Sequence, residues 1–465
     1  MKFENGKMRD VRIAYIGGGS RGWAWGLMSD LVYSEDISGE VLLYDIDLEA
    51  ARRNEIIGNM HNSLPEARSA WTYRAVDTAA EALTGADFVV VSILPGSFDE
   101  MASDVHEPEK YGIYQPVGDT TGPGGILRAM RTVPIFEEIA ENVKKYAPGA
   151  WVINYTNPMT LCVRTMYRVF PGIRAFGCCH EVFGTQEFIS QIVKEKFGLD
   201  EKVPRDEIKI NVLGVNHFTW ITRASWRGVD LFPIYDEYCR EHPDGDPDGI
   251  VDDYDVREGC FISAEKVKMD LFRKYGSIAA AGDRHLAEFC DGDLYLRDPE
   301  RIREMRFALT PISWRKEDLK ERLEKSDGYI SGSLPLELSL SGEEGVRQIR
   351  SLAGLCDFVT NVNIPNAGQI PNLPLGAVVE TNARFCSGGI TPVLAGDVPE
   401  PIYPLISRTV ERQEALNEAI AKRDLEAIFR VFVSDPLVTC SEADARKLFD
   451  TMCGNTREYL KSYGL

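Results

Sequence analysis

Apolar residues in the first part of the chain occur in short runs that alternate with stretches of helical spacing. Five runs predict strands, at residues 11–16, 41–44, 87–93, 151–154 and 173–177. A stretch with a helical pattern, from Leu48 to about Asn62, follows the second run. Strands that alternate with helices predict an α/β fold with a doubly wound parallel sheet, which binds its ligand at the carboxyl ends of the strands.

The pattern changes in the second half of the chain. The segment 209–215 alternates polar and apolar residues, and 220–226 resembles a strand that pairs with it. Longer helical stretches follow, and the acidic, Pro/Gly-rich segment 241–253 predicts a solvated loop. We therefore expect two domains, one over residues 1–200 and a second, α+β domain over residues 201–465.

Composition narrows the class of protein. A chain of 465 residues is too long for one typical core, and 44% hydrophobic with 27% charged residues is typical of a globular protein. The net charge of -20 argues against nucleic acid and anionic membranes as partners. No apolar run reaches the length of a membrane span, the first residues do not resemble a signal peptide, and ten cysteines predict reduced thiols rather than disulfides. We expect a cytoplasmic protein.

A glycine loop follows the first predicted strand. The six residues 17–22 satisfy the pattern G-x-G-x-x-G, in which glycine permits a tight turn and a close approach to a pyrophosphate. The second predicted strand ends at Asp45, where an acidic residue holds the ribose hydroxyls in NAD enzymes and repels a 2′-phosphate. Because strand, loop, helix and acidic residue agree, an accidental match is disfavoured, and a Rossmann-type site for NAD rather than NADP is predicted.

Two polar patterns precede helical stretches. Asp119 lies in the glycine-rich segment 118–125, where it is suited to hold a sugar oxygen or donate a proton. The alternative is that Asp119 only caps the following helix. Asn157, which stands before Pro158, is suited to be a helix N-cap as well as a binding residue.

Two further pairs are candidates for a metal site. The Cys179–His180 and Asn216–His217 pairs come from the two predicted domains, and one thiolate with one imidazole could bind a divalent metal and leave positions open for substrate oxygens. Taken singly, Cys179 is equally consistent with a buried thiol and His217 with a core histidine. The segment 282–289 has four ionisable side chains in six residues, which predicts either a cleft loop or a solvated helix start.

Taken together, these motifs resemble the family 4 glycoside hydrolases, in order and along essentially the whole chain. The segments that carry the resemblance are 16–20, 118–125, 154–158, 177–180, 214–218 and 363–374. The resemblance implies a fold like that of lactate and malate dehydrogenases, a homodimer or homotetramer, and hydrolysis of α-glycosides with NAD and a divalent metal, commonly manganese. It implies oxidation at C3 of the sugar, elimination across C2 and C1, addition of water and return of the hydride.

The resemblance also implies roles for individual residues. Metal ligands would be Cys179 and His217, and sugar contacts Asn157 and His180. Asp119 would be the acid, and Tyr275 or Asp283 the base at C2, because Phe289 has no hydroxyl where many relatives carry a tyrosine. The cofactor contacts would be Gly17, Gly18, Gly19, Ser20, Gly22, Asp45, Ser92 and Asn154.

The substrate is predicted from one loop. The run 282–285 resembles the α-galacturonidase branch of the family, and Arg284 could bind the C6 carboxylate of a uronic-acid oligosaccharide through two hydrogen bonds. The alternatives are an α-galactosidase or α-glucosidase of the same family, an NAD-dependent hydroxy-acid dehydrogenase, and a silent NAD-binding sensor. A dehydrogenase would accumulate NADH, and a sensor would tolerate Cys179→Ser and His217→Ala.

Overall fold

The computed structural model describes residues 1–465, which form two sheets and seventeen α-helices. The strands are β1 (Lys2–Glu4), β2 (Lys7–Ile16), β3 (Ile37–Tyr44), β4 (Trp71–Val76), β5 (Phe88–Val91), β6 (Trp151–Asn154), β7 (Arg174–Gly177), β8 (Lys209–Val215), β9 (Phe218–Trp226), β10 (Val229–Asp230), β11 (Ile278–Ala279), β12 (Phe358–Pro365), β13 (Val378–Cys386) and β14 (Gly389–Pro392). The helices are α1 (Trp23–Tyr33), α2 (Leu48–His61), α3 (Ala79–Leu83), α4 (Phe98–His106), α5 (Gly122–Tyr146), α6 (Met159–Val169), α7 (Glu181–Phe197), α8 (Phe232–Glu241), α9 (Lys266–Tyr275), α10 (Asp283–Phe289), α11 (Gly292–Tyr295), α12 (Pro299–Glu304), α13 (Ile312–Ser331), α14 (Gly345–Leu352), α15 (Tyr403–Ala421), α16 (Leu425–Val433) and α17 (Glu442–Asn455).

The larger sheet has a parallel centre in the order β4-β3-β2-β5-β6-β7. This is the order of a doubly wound sheet, in which the chain turns outward in both directions from its first parallel strand. The switch point lies between β2 and β5, directly beside the glycine loop. The predicted α/β fold with a Rossmann-type sheet is confirmed.

Both faces of this sheet are covered, which explains the nearly continuous apolar runs in the sequence. Along β2, Ile13 and Tyr15 pack into one hydrophobic core, while Ala14 and Ile16 pack into the core on the opposite face. All four residues of β5 are buried. A strand that is buried on both faces cannot alternate polar and apolar residues.

The second half of the chain contributes to both sheets. Strands β12, β13 and β14 extend the larger sheet antiparallel to its parallel part, with Asn363 opposite Gly177. Strands β8 to β11 form a separate antiparallel sheet, in which the predicted strands 209–215 and 220–226 are paired. The larger sheet thus crosses the boundary expected near residue 200, and the division into two domains stays a prediction.

None of the helices combines the length and the apolar composition that are needed to cross a bilayer.

Candidate active site

The glycine loop begins where β2 ends, at the switch point of the sheet. Gly17 has a φ of 92°, and a Cβ atom there would lie 2.0 Å from the carbonyl oxygen of Ser92 at the end of β5. A Cβ on Gly18 would lie 2.7 Å from that of Leu43. Side chains are therefore excluded by neighbouring strands, and the loop backbone is left bare at the carboxyl edge of the sheet.

The groups around this loop fit a dinucleotide. The Asp45 carboxylate accepts a hydrogen bond of 2.8 Å from the Gly19 amide, so it lies at the loop, where a ribose would be held. Gly22 is the N-cap of α1, where no side chain caps the helix and the first turn has no acidic residue. The first amides of α1 are therefore available to an anion such as a pyrophosphate.

Asp119 lies in the turn that leads into α5. The helix begins at Gly122 with Thr121 as its N-cap, so Asp119 does not cap it, and the capping interpretation is wrong. Instead, the Asp119 carboxylate accepts hydrogen bonds from the Thr120 hydroxyl at 2.7 Å and from the Asn157 amide at 3.1 Å. Burial opposes its ionisation, but neighbouring imidazoles, Arg128 and the Thr120 hydroxyl hold the pKa of Asp119 below its usual range.

The last residue of β6 and the segment after it place Asn154 and Asn157 at the same edge. Asn154 is buried, and its side chain bonds to the backbone of Thr156, which fixes the turn. Helix α6 begins at Met159 with Pro158 as its N-cap, so the expectation that Asn157 caps this helix is wrong. The Asn157 side-chain oxygen is buried and accepts no hydrogen bond from the protein, so it is available as an acceptor for a ligand.

His217 lies in the two-residue hairpin between β8 and β9, where Val215 pairs with Phe218. Its φ of 64° is in the left-handed region, which is uncommon for histidine. Such a conformation persists where the surroundings enforce it and often marks a functional residue. Burial and the nearby His285 lower the pKa of His217 to about 3, so the ring is neutral and can act as a ligand.

Three ligand atoms converge at this point. Ligand atoms of Asp119, His217 and His285 all lie within 4.8 Å of one another. The two imidazole rings have centroids 3.9 Å apart. One carboxylate with two imidazoles is a donor set for first-row divalent metals that leaves positions open for substrate, and its oxygen suits manganese better than a thiolate does.

Cys179 lies beside this cluster. The side-chain nitrogen of the neighbouring Asn216 donates to the Glu380 carboxylate at 3.3 Å, and Cys179 is not one of the three residues whose ligand atoms converge. Burial and the carboxylates of Glu380 and Glu181 raise the pKa of the Cys179 thiol well above its usual value, which disfavours the thiolate until a cation is near. The role of Cys179 as a metal ligand stays a prediction.

The two predicted sugar contacts from charged side chains lie at the edge of the cluster. His180 is half exposed, and its Nδ1 pairs with the Glu343 carboxylate at 2.8 Å, which raises the pKa of His180. Arg284 donates to the hydroxyl of Thr310, and its guanidinium carbon lies 4.5 Å from the centre of the Phe261 ring. Both keep part of their hydrogen-bonding capacity free.

The two predicted bases have identifiable structural contacts of their own. The buried Asp283 carboxylate accepts hydrogen bonds from the amides of Val267 and Lys268, at 3.1 and 3.0 Å, and thus binds the start of α9. Tyr275 packs its ring edge-on against Trp220, with centroids 5.9 Å apart. A catalytic role for either residue stays a prediction.

Several buried or partly buried carboxyl groups around the cluster were given no role in the sequence analysis. Glu181 lies with its carboxylate 3.5 Å from His285 Nε2, and Glu288 accepts hydrogen bonds from the amides of Val117 and Gly118 at 2.7 and 2.9 Å. Glu380 accepts hydrogen bonds from two asparagines and is almost fully buried. Glu181 directly follows the Cys179–His180 pair, and His285 and Glu288 belong to the segment 282–289, but only the fold shows which way these side chains face.

A bare glycine loop lies at the carboxyl edge of the larger sheet, and the hydrogen bond from Asn157 to Asp119 links the three-ligand cluster to that edge. Together they define an enzyme with a Rossmann-type cofactor sheet and a site suited to a divalent cation. Residues 12–195 match the model of family 4 glycosyl hydrolases, and residues 212–438 match that family's C-terminal domain. The alpha-galacturonidase of Thermoanaerobacterium saccharolyticum is 57% identical over 465 residues, which cover 100% of this chain and 99% of that protein. The chain belongs to the family 4 glycosyl hydrolases.

Solved structures support the same fold. The crystal structure of lplD from Bacillus subtilis has a TM-score of 0.89 and 49% identity, and the match covers 96% of this chain and 100% of that one. A 6-phospho-alpha-glucosidase from gut microorganisms, in complex with NAD and Mn²⁺, has a TM-score of 0.79 at 19% identity, over 97% of this chain and 99% of that one. The second likeness shows the fold alone, and the family resemblance found in the sequence is confirmed.

Proposed function

We propose that this chain is an α-galacturonidase that hydrolyses small α-linked galacturonides with NAD and a divalent metal, preferably manganese. The observation that carries the proposal is the 57% identity, over the whole chain, to a protein named alpha-galacturonidase. The position of Arg284 supports it, since a partly free guanidinium near the cluster of Asp119, His217 and His285 offers a bidentate partner for a carboxylate. A neutral hexose has no such group at C6.

The residues present fit both cofactors. NAD, when bound, supplies an acceptor for the hydride of C3 and a donor that returns it. We propose that the glycine loop and Asp45 hold it, with Ser92 and Asn154 shaping the edge of the sheet on which it lies. A divalent metal, when bound, supplies Lewis-acid polarisation of the substrate oxygens, and Asp119, His217 and His285 would hold it.

The chain's own side chains would position the sugar. The unpartnered Asn157 oxygen is a buried acceptor for a sugar hydroxyl, and leaving it unmatched without substrate costs about 1–3 kcal/mol. His180 is held by Glu343, and its raised pKa favours the imidazolium, which can donate to a sugar oxygen. The bound sugar would thereby be fixed between the glycine loop and the metal-ligand cluster.

The test is a substrate panel. Digalacturonate, an aryl α-galactoside and an aryl α-glucoside are each incubated with the enzyme, with NAD and Mn²⁺ omitted in turn. We expect sugar release from digalacturonate only when both are present, with no net NADH and with solvent deuterium at C2 of the product. A preference for a neutral glycoside would contradict the substrate, and accumulation of NADH would instead indicate a hydroxy-acid dehydrogenase.

The assembly state is a separate part of the proposal. Family resemblance favours a homodimer or homotetramer, and light scattering coupled to gel filtration would measure its mass against the 52.0 kDa of one chain. A monomeric mass at assay concentration would contradict this part alone.

A further inference from the structure

The start of α13 is packed against the arginine proposed to bind the substrate. Arg284 donates to the hydroxyl of Thr310, and α13 begins two residues later, at Ile312. The Phe261 ring lies between the two, with the Arg284 guanidinium 4.5 Å from its centre and the Trp314 ring 5.0 Å away on an edge-on approach. The first turn of α13 is therefore fixed relative to Arg284.

Arg315 belongs to this first turn and has an unmatched donor. Its Nε atom is buried and has no hydrogen-bond partner in the protein. Further along the same helix, Arg322 donates from its Nε to Asp318 at 2.7 Å, so the helix does pair its arginines where a carboxylate is available. A buried guanidinium donor without a partner is costly unless a ligand completes it.

The charges around Arg315 and Arg284 indicate which kind of ligand would pair with the two guanidiniums. Burial lowers the pKa of both guanidiniums. The Glu181 carboxylate opposes the shift at Arg284, and the Asp119 carboxylate opposes it at Arg315, where the positive charge of Arg284 adds to it. Thr310, the one side-chain partner of Arg284, is neutral. The Glu181 and Asp119 carboxylates are near enough to favour the charged guanidiniums, but neither arginine forms an ion pair with a carboxylate of the protein. An anionic ligand would supply the partner that both guanidiniums lack.

We propose that Arg315 is a second specificity-determining residue, which binds the C6 carboxylate of the substrate together with Arg284. The inference rests on the proposed function and adds a residue to it. A carboxylate has two oxygens with about four lone-pair sites, so it can accept from two guanidinium groups at once. A single arginine would leave one side of the carboxylate without a donor.

The experiment compares Arg315→Gln and Arg315→Lys with Lys320→Gln, which removes one charge from an exposed position of the same helix. The values of kcat/KM are measured for digalacturonate and for an aryl α-galactoside, with NAD and Mn²⁺ present. We expect Arg315→Gln to lose about 10- to 100-fold on the uronate, the effect of one hydrogen bond to a charged group, and less than about threefold on the neutral sugar. Arg315→Lys keeps the positive charge but loses the planar set of N–H donors, so its kcat/KM for the uronate should lie between those of Arg315→Gln and the wild type. Lys320→Gln should match the wild type.

A second readout does not depend on turnover. Thermal stabilisation by free galacturonate and by galactose is measured for the same variants, and Arg315→Gln should lose the galacturonate effect alone. Equal losses on both sugars, or no loss on either, would overturn the inference. If the wild type cleaves no galacturonide at all, the proposed function fails, and the galacturonate-binding result still decides whether Arg315 recognises a carboxylate.

Discussion

Asp119 and His217 are joined through one hydroxyl group, that of Thr120. The Thr120 oxygen lies 2.7 Å from Asp119 Oδ1 and 2.8 Å from His217 Nδ1. Because a hydroxyl has one proton and donates it to the carboxylate, it accepts from Nδ1–H of the neutral ring. The Nε2 atom of His217 is then unprotonated, which is the state that binds a metal.

Replacing Thr120 with Val should therefore weaken the metal site without emptying it. Valine is close in shape but cannot hold the His217 tautomer, and the loss of such an orienting partner costs about 10- to 100-fold in metal affinity. Titration of Mn²⁺ followed by calorimetry measures this. Thr120→Ser keeps the hydroxyl and should retain most of the affinity, whereas unchanged affinity in Thr120→Val would contradict the bridging role.

His285→Ala tests the three-ligand cluster directly. Removing one of the three proposed ligands should abolish most of the thermal stabilisation by Mn²⁺, since binding to the native state raises the melting temperature. His106→Ala removes a partly exposed imidazole that pairs with Glu109 and should leave the stabilisation intact.

Cys179→Ser, measured in the same way, decides between ligand sets. If the thiolate binds the metal, as the family resemblance implies, this variant should lose the Mn²⁺ effect as His285→Ala does. Retained stabilisation in Cys179→Ser, together with its loss in His285→Ala, would leave a site of oxygen and nitrogen donors only.

Gly17→Ala should lower stability and NAD binding far more than Gly112→Ala, a substitution at another glycine with a positive φ. Gly17 and Gly112 have φ angles of 92° and 77°, but a Cβ on Gly17 would lie 2.0 Å from the Ser92 oxygen, whereas nothing lies within 4 Å of one on Gly112. Gly112→Ala should therefore cost about 1 kcal/mol of unfolding free energy from backbone strain alone. Gly17→Ala should cost more and should also abolish NAD binding, measured by denaturant unfolding and by quenching of protein fluorescence. Similar losses in both variants would show that the close approach to Ser92 does not matter.

Glu288 should make the folded protein less stable as the pH rises. Burial raises its pKa to about 8, although the amides of Val117 and Gly118 oppose the shift. A carboxyl whose folded pKa is raised stabilises the fold fully below its unfolded pKa, near 4.5, and this contribution is lost as the pH rises through about 8. Glu288→Gln keeps an acceptor for both amides but has no proton to lose.

The difference in unfolding free energy between Glu288→Gln and the wild type should thus grow in favour of the variant from pH 5 to pH 8. Urea unfolding at a series of pH values measures it. The exposed Glu411→Gln is the matched control and should run parallel to the wild type. A parallel curve for Glu288→Gln as well would contradict the buried, proton-bearing state of this carboxyl.

Much of the fold could be predicted because its determinants are local. A strand segment that is buried on both faces must be apolar, so β5, the second half of β2 and the first three residues of β6 are visible as apolar runs in the sequence. The glycine loop is local in one respect, since the positive φ of Gly17 belongs to a turn that directly follows its strand, whereas the close approach of Ser92 to Gly17 is a long-range contact. Structural features that depend on residues close together in the chain can be recognised as patterns in the sequence.

The geometry of the site was decided by the tertiary structure. Asp119, His217 and His285 are separated by 98 and 68 positions and belong to a turn, a hairpin and a helix, yet their ligand atoms converge within 4.8 Å. Asp283 is two residues from His285 in the same helix, yet its side chain binds the start of α9 while that of His285 joins the cluster. Spacing along a chain does not encode such directions, because they follow from how helices and sheets pack over long sequence separations. The sequence alone therefore determined which chemical groups were available, and packing decided which of them meet.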